Sequence, residues 1–242
     1  MNDNVSAQTD AVDAVAADPE VRSHFWVCSF PFFETTLFIL PPVCSEESSC
    51  TSTFESLVSF FDADGSLINE VSVVVPKAEI GVLEVDQCMG SCKLEGGLKH
   101  GHIVVTSAPG SKHFCRMHTG EGAALLGEPT VLQKEQSNFF PLTFSEEKSS
   151  FLCVVNHGEE EAHLKCRLFL GKRTPDFSCS VPAFGSRVFN VESEFSEYTD
   201  ISEGQLIQAY LRLSSRGSQP VGVLLVERTD NEKDKGIFTS VT

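Results

Sequence analysis

Residues 65–76 read GSLINEVSVVVP and are followed by Gly81 and Val85-Asp86, while residues 171–182 read GKRTPDFSCSVP and are followed by Gly185 and Val191-Glu192. Three pairs of landmarks, Gly65 with Gly171, Pro76 with Pro182 and Asp86 with Glu192, share one offset of 106 residues. Constant spacing over landmarks of different chemistry marks an internal repeat, here two copies of one folding unit. Each landmark also has local meaning. Proline donates no backbone hydrogen bond and so closes a strand, and the glycine after it permits the turn into the next.

The likeness extends in both directions. Upstream, Thr36-Leu37-Phe38-Ile39-Leu40 matches Ser150-Phe151-Leu152-Cys153-Val154, with an insertion in copy one around Ser45 to Thr53. Downstream, Gly101 to Ser107 matches Gln208 to Ser214, and Gly110-Ser111-Lys112 matches Gly217-Ser218-Gln219. Alternation is clear in Leu164, Cys166, Leu168 and Leu170, in Phe177, Cys179 and Val181, and in Ile207, Ala209, Leu211 and Leu213, each set interleaved with polar residues. Such runs, broken by Gly, Pro, Asp and Ser, are short strands with one buried and one solvated face. The expectation is an all-β protein: two tandem antiparallel β-sandwich domains of about seven strands each, related by internal duplication. Copy one spans residues 23–120, a connector with Gly122, Gly127 and Pro129 spans 121–136, and copy two spans 137–242. Residues 1–22 carry Asp3, Asp10, Asp13, Asp18 and Glu20 against Arg22 and no large apolar side chain, which predicts a flexible acidic tail.

Charge and composition narrow the function. Thirty-four Asp and Glu against 18 Lys and Arg give a net charge of -16, which repels phosphate backbones, and no basic cluster overrides it, so no nucleic-acid partner is expected. No apolar run approaches the ~20 residues of a spanning helix, so membrane insertion is not expected either. The opening Met-Asn-Asp-Asn lacks a basic start before an apolar stretch, which leaves a cytoplasmic location as the expectation. Nine cysteines, an odd number scattered over strands and loops, read as reduced thiols rather than a disulfide framework.

Copy two resembles the sensory rhodopsin transducer family of small β-sandwich proteins. The residues carrying the likeness are Phe151 to Val155, then Asn156-His157-Gly158 and the acidic turn Glu159-Glu160-Glu161, then Val181-Pro182-Ala183, Arg187-Val188-Phe189 and Gln219-Pro220-Val221-Gly222-Val223. The resemblance implies a sandwich fold, a tendency to oligomerise and a protein partner, with no catalytic residues to carry over. Copy one departs from it, with Leu40-Pro41-Pro42 in place of Asn-x-Gly and Pro76-Lys77-Ala78 in place of Pro-Ala.

Residues with chemistry are few. Cys88 and Cys92 flank Met89-Gly90-Ser91, and His100 and His102 follow on one face of a strand, so thiolates and imidazoles are candidate metal ligands, although the spacing matches no standard zinc motif. The bland alternative is a wet surface with exposed histidines. Cys115 beside His113 or His118 is a conceivable nucleophilic pair, but neither a lowered thiol pKa nor an orienting third group is visible. Asp62 and Asp64 before Gly65 read as a hairpin turn, since the later acidic ligands of a calcium loop are missing. No nucleophile elbow, phosphate loop or dinucleotide fingerprint occurs, so neither a catalytic centre nor a cofactor is expected. Phe30, Phe32 and Phe33 around Pro31 break strand alternation and are a candidate interaction patch. The expected function is a non-enzymatic protein-binding, adaptor or signal-transducing module, acting on a protein partner or as a homo-oligomer. The alternatives are a metal-binding or thiol redox module using the Cys88 to His118 region and a structural assembly protein.

Overall fold

The computed structural model describes residues 20–29, 34–42, 53–76, 78–90, 94–95, 98–118, 123–199, 205–230 and 235–241. The first half contains β1 (Val21–Ser29), β2 (Glu34–Leu40), β3 (Thr53–Asp62), β4 (Leu67–Pro76), β5 (Gly81–Glu84), the single helical turn α1 (Val85–Cys88), β6 (Leu94–Glu95), β7 (Leu98–Ser107), β8 (Lys112–His118) and β9 (Ala123–Leu126). The second contains β10 (Thr130–Leu132), β11 (Ser137–Phe144), β12 (Lys148–Asn156), β13 (Ala162–Phe169), β14 (Asp176–Val181), β15 (Ser186–Asn190), the turn α2 (Val191–Glu194), β16 (Ile207–Ser215), β17 (Val221–Asp230) and β18 (Lys235–Val241).

The fold is all-β, with four antiparallel sheets. In the first half, β1-β7-β3-β4, with β6 beside β7, faces β5-β2-β8-β9. In the second, β11-β16-β13-β14 faces a sheet in which β15, β12 and β17 are neighbours and both β10 and β18 pair with β17. Apart from β6 in the first half and β10 in the second, which have no counterparts, the two halves follow one strand order. Side chains from both sheets of each half fill its interior: Phe25, Val58, Phe60 and Ile103 meet Leu37, Ile39, Met117 and Leu126 in the first, and Phe140, Leu164, Cys166 and Leu211 meet Leu152, Val154 and Val223 in the second.

The repeat landmarks occupy matching places. Gly65 (φ +83°) and Gly171 (φ +58°) both take the left-handed conformation in the turns after β3 and β13. Asp86 in α1 accepts the Thr35 N–H at 2.7 Å, and Glu192 in α2 accepts the Ser150 N–H at 2.9 Å, so each helical turn pins the start of a central strand. The register differs from the sequence match by one residue. Thr36 lies opposite Glu84 and Phe151 opposite Asn190, and Glu84 and Asn190 each precede the helical turn. Thr36 therefore corresponds to Phe151 rather than Ser150. Both strands are buried on two faces over much of their length, so hydrophobic alternation does not pin their register.

Two further expectations need correction. Residues 121–136 are not a plain connector: β9 pairs with β8 in the first half and β10 with β17 in the second. Buried Ala124, Leu126 and Leu132 alternate there with exposed Leu125 and Val131, but over runs too short for periodicity to declare itself. Strand β1 begins at Val21, inside the expected tail; residues 1–19 lie outside the described residues, as do Phe30, Phe32 and Phe33.

The two halves also share one core. Phe151, Cys153 and Val155 of β12 and Leu224 and Val226 of β17 turn away from their own interior and pack into the apolar cluster of the first half. This explains why β12 is buried on both faces.

Candidate functional site: a histidine stack at the junction

Outward positions of β1 and β7 alternate with the core positions Phe25, Val27, Ile103 and Val105, and they include His24, Trp26, His100 and His102. The second half closes over them. His100 and His102 are fully buried rather than lining a wet surface. Their partners lie at the start of β15 and in the turn before it: His100 Nδ1 meets Ser186 Oγ at 2.9 Å and His102 Nδ1 meets the Phe184 carbonyl at 2.8 Å.

The Phe184 carbonyl only accepts, so His102 carries its proton on Nδ1 and leaves Nε2 as an acceptor. His24 Nδ1 then donates to His102 Nε2 at 3.0 Å. His157, from the second half, lies flat on His24 with ring centroids 3.9 Å apart and planes 11° from parallel, and 5.9 Å from the His102 ring. Gly222 makes room for it: a Cβ there would sit 2.5 Å from His157 Nε2. That nitrogen is buried with no hydrogen-bond partner among the described residues. Phe61 and Phe184 extend the stack, their rings 5.2 Å apart and Phe61 5.8 Å from His102.

All three imidazoles are held neutral. Burial lowers His24 to about 4, helped by the charge of Arg22. Burial and the neighbouring His24 lower His102 to about 3 against the opposing hydrogen bond to Phe184, and burial with both neighbours lowers His157 to about 2.

The turn at Asp62 to Gly65 forms the other half of the junction. It is the hairpin turn expected from the sequence, with Asp62 Oδ1 accepting from the N–H groups of Asp64 and Ser66. It also docks. The Ala63 carbonyl accepts from Ser186 N at 3.1 Å and Arg187 Nη1 at 2.9 Å, and Arg187 Nη2 stands 3.7 Å from Asp64. A Cβ at Gly65 would fall 1.9 Å from the Ala183 carbonyl oxygen, so glycine is required by contact as well as by φ.

The other candidates are placed as follows. Cys88 Sγ donates to the Glu84 carbonyl at 3.8 Å, and burial raises its thiol pKa. Cys92 lies outside the described residues. Among the described residues no group of three or more His, Cys, Asp or Glu is arranged to hold a metal ion. Burial pushes the Cys115 thiol far up, the reverse of an activated nucleophile. His113 belongs to a buried polar chain instead, 2.8 Å from Ser23 Oγ and 2.9 Å from Ser107 Oγ, which in turn donates to Ser56 Oγ at 2.6 Å. His118 Nε2 lies 3.6 Å from Glu34.

Sequence reasoning missed His24 and His157. His24 has no neighbouring ligand-like residue to flag it, and His157 hides inside a turn motif, Asn156-His157-Gly158. Nothing in the chain signals that two positions 133 residues apart share a stack. No protein-family model matches this chain, and no curated protein or solved structure matches it significantly.

Proposed function

We propose that the protein is a non-enzymatic binding module that engages an acidic protein surface through the outer face of β11-β16-β13-β14. The carrying observation is the composition of that face. Phe139 and Tyr210 are 54% and 57% exposed, and Phe169 lies tilted against Phe139 with centroids 6.1 Å apart. Arg212 lies over the Phe139 ring at 5.7 Å, and Lys165 and Arg167 stand on the neighbouring strand. Asp176, bound to both Lys165 and Arg167, is the one carboxylate at the outward positions of these strands among the described residues. A protein of net charge -16 thus gathers cations and aromatic rings on one sheet. Exposed aromatics with arginine are the composition enriched at protein interfaces.

Supporting a non-catalytic reading, the thiols of Cys28, Cys115 and Cys153 are all pushed upward by burial, and His100, His102 and His113 are engaged structurally. The likeness of the second half to the sensory rhodopsin transducer family points the same way.

Native mass spectrometry of the protein isolated without chelator tests the reading. The expected spectrum is a metal-free chain carrying a protein partner or a second copy, with the added mass lost in the Phe139→Ser/Tyr210→Ser variant. One zinc per chain, lost when Cys88 and Cys92 are replaced by serine, overturns it in favour of a metal module.

A further inference from the structure

We propose that the junction between the two halves is an acid-sensitive joint, in which protonation of the His24, His102 and His157 stack parts the halves while each keeps its strands. The geometry carries the proposal. Two of the imidazoles come from the first half and one from the second, and the cross-junction pair is the closest, at 3.9 Å. Two imidazolium ions at that separation repel, and the acceptor on His102 that receives the His24 proton disappears once His102 takes a second proton.

Among the described residues no carboxylate is bonded to any ring of the stack. Strand β1 brings Arg22, whose charge already opposes protonation of His24. Strand β7 brings His100, bound to Ser186. Strand β15 brings Arg187, engaged with Asp64 of the β3–β4 turn. Strands β12 and β17 bring the Cys153 thiol and apolar side chains, with Arg228 at the far end over Phe151. Beyond β12, Glu160 is held by Gln219.

The sign follows from linkage. An exposed histidine titrates near 6.5, and the stack holds all three lower, so the closed joint is favoured at neutral pH and loses ground as pH falls below about 6.5. Each proton taken up only by the open form changes the equilibrium about tenfold per pH unit, so three give up to about a thousandfold. The second half retains its own cluster when the joint opens, whereas the first half loses the cover of Phe151, Cys153, Val155, Leu224 and Val226.

Trp26 reports the joint directly, being the chain's one tryptophan, 2% exposed and stacked on His100. The experiment follows Trp26 emission, radius of gyration by X-ray scattering and far-ultraviolet circular dichroism on the full chain from about pH 8 to pH 4. The expected result is a red shift and an expansion at one acid midpoint with the strand signal retained, and a midpoint lower by about one pH unit or more in His24→Phe/His157→Phe. No expansion by pH 4, loss of strand signal together with the expansion, or an unchanged midpoint in the variant would overturn the proposal. Should the variant not fold at pH 8, the Cε1 proton resonances of the wild type decide: three histidines titrating together with the expansion support the joint, and titration near 6.5 independent of it does not.

Discussion

At the scale of single residues, Gly65 and Gly171 separate two demands that sequence cannot distinguish. Both need a left-handed backbone, but only Gly65 faces the other half, while a Cβ at Gly171 meets nothing. Gly171→Ala is expected to cost roughly 1–2 kcal/mol, the strain of a non-glycine residue at positive φ. Gly65→Ala carries the same strain plus a clash with the Ala183 carbonyl oxygen, for about 3 kcal/mol or more. Urea denaturation of the two variants side by side measures the difference, and equal losses would refute the docking role. The glycines themselves were legible as turn residues; the contact of one was not, because its partner lies more than a hundred positions away.

Among the elements, the turn after β12 is fastened by a single side chain. The two N–H groups of Asn156 Nδ2 are shared among the carbonyls of Glu160, Val181 and Pro182, and its Oδ1 accepts from Gly158 N, so one buried amide ties β12, its turn and the end of β14 together. The Asn-x-Gly pattern was visible in the sequence as a turn. Asn156→Ala strands those carbonyls in a buried setting and is expected to destabilise by about 3–5 kcal/mol. Asn156→Asp removes both donors and faces a carboxylate toward carbonyl oxygens, so it is expected to be the worse of the two by thermal unfolding. An aspartate variant as stable as the wild type would show that the amide donors contribute little.

For the whole molecule, what matters is which side chains serve which core. Leu224 is anchored in β17 of the second half, yet it packs into the cluster of the first. Leu224→Asp therefore leaves the second half's own interior untouched while placing a charge in the junction, at an expected cost of several kcal/mol. The predicted outcome in urea is two transitions in place of one, with Trp26 reporting the earlier. A single transition displaced as a whole would mean that neither half is stable apart. The aromatic and basic outer sheet lies on the side of the second half away from this junction, so variants of Phe139 and Tyr210 are expected to change binding without changing the transition.

By itself the sequence determined the class of element and the turns that punctuate it, because strand alternation, proline and glycine act over a few neighbouring positions. Net charge was equally legible, since it is a sum over residues and needs no fold. Only the tertiary structure decided that His24, His102 and His157 form one stack, that His100 and His102 are buried, and that β9 and β10 belong to different halves. Those facts depend on which strands pair at long range and which faces meet when the two halves dock, and each strand reads in sequence as an ordinary short run.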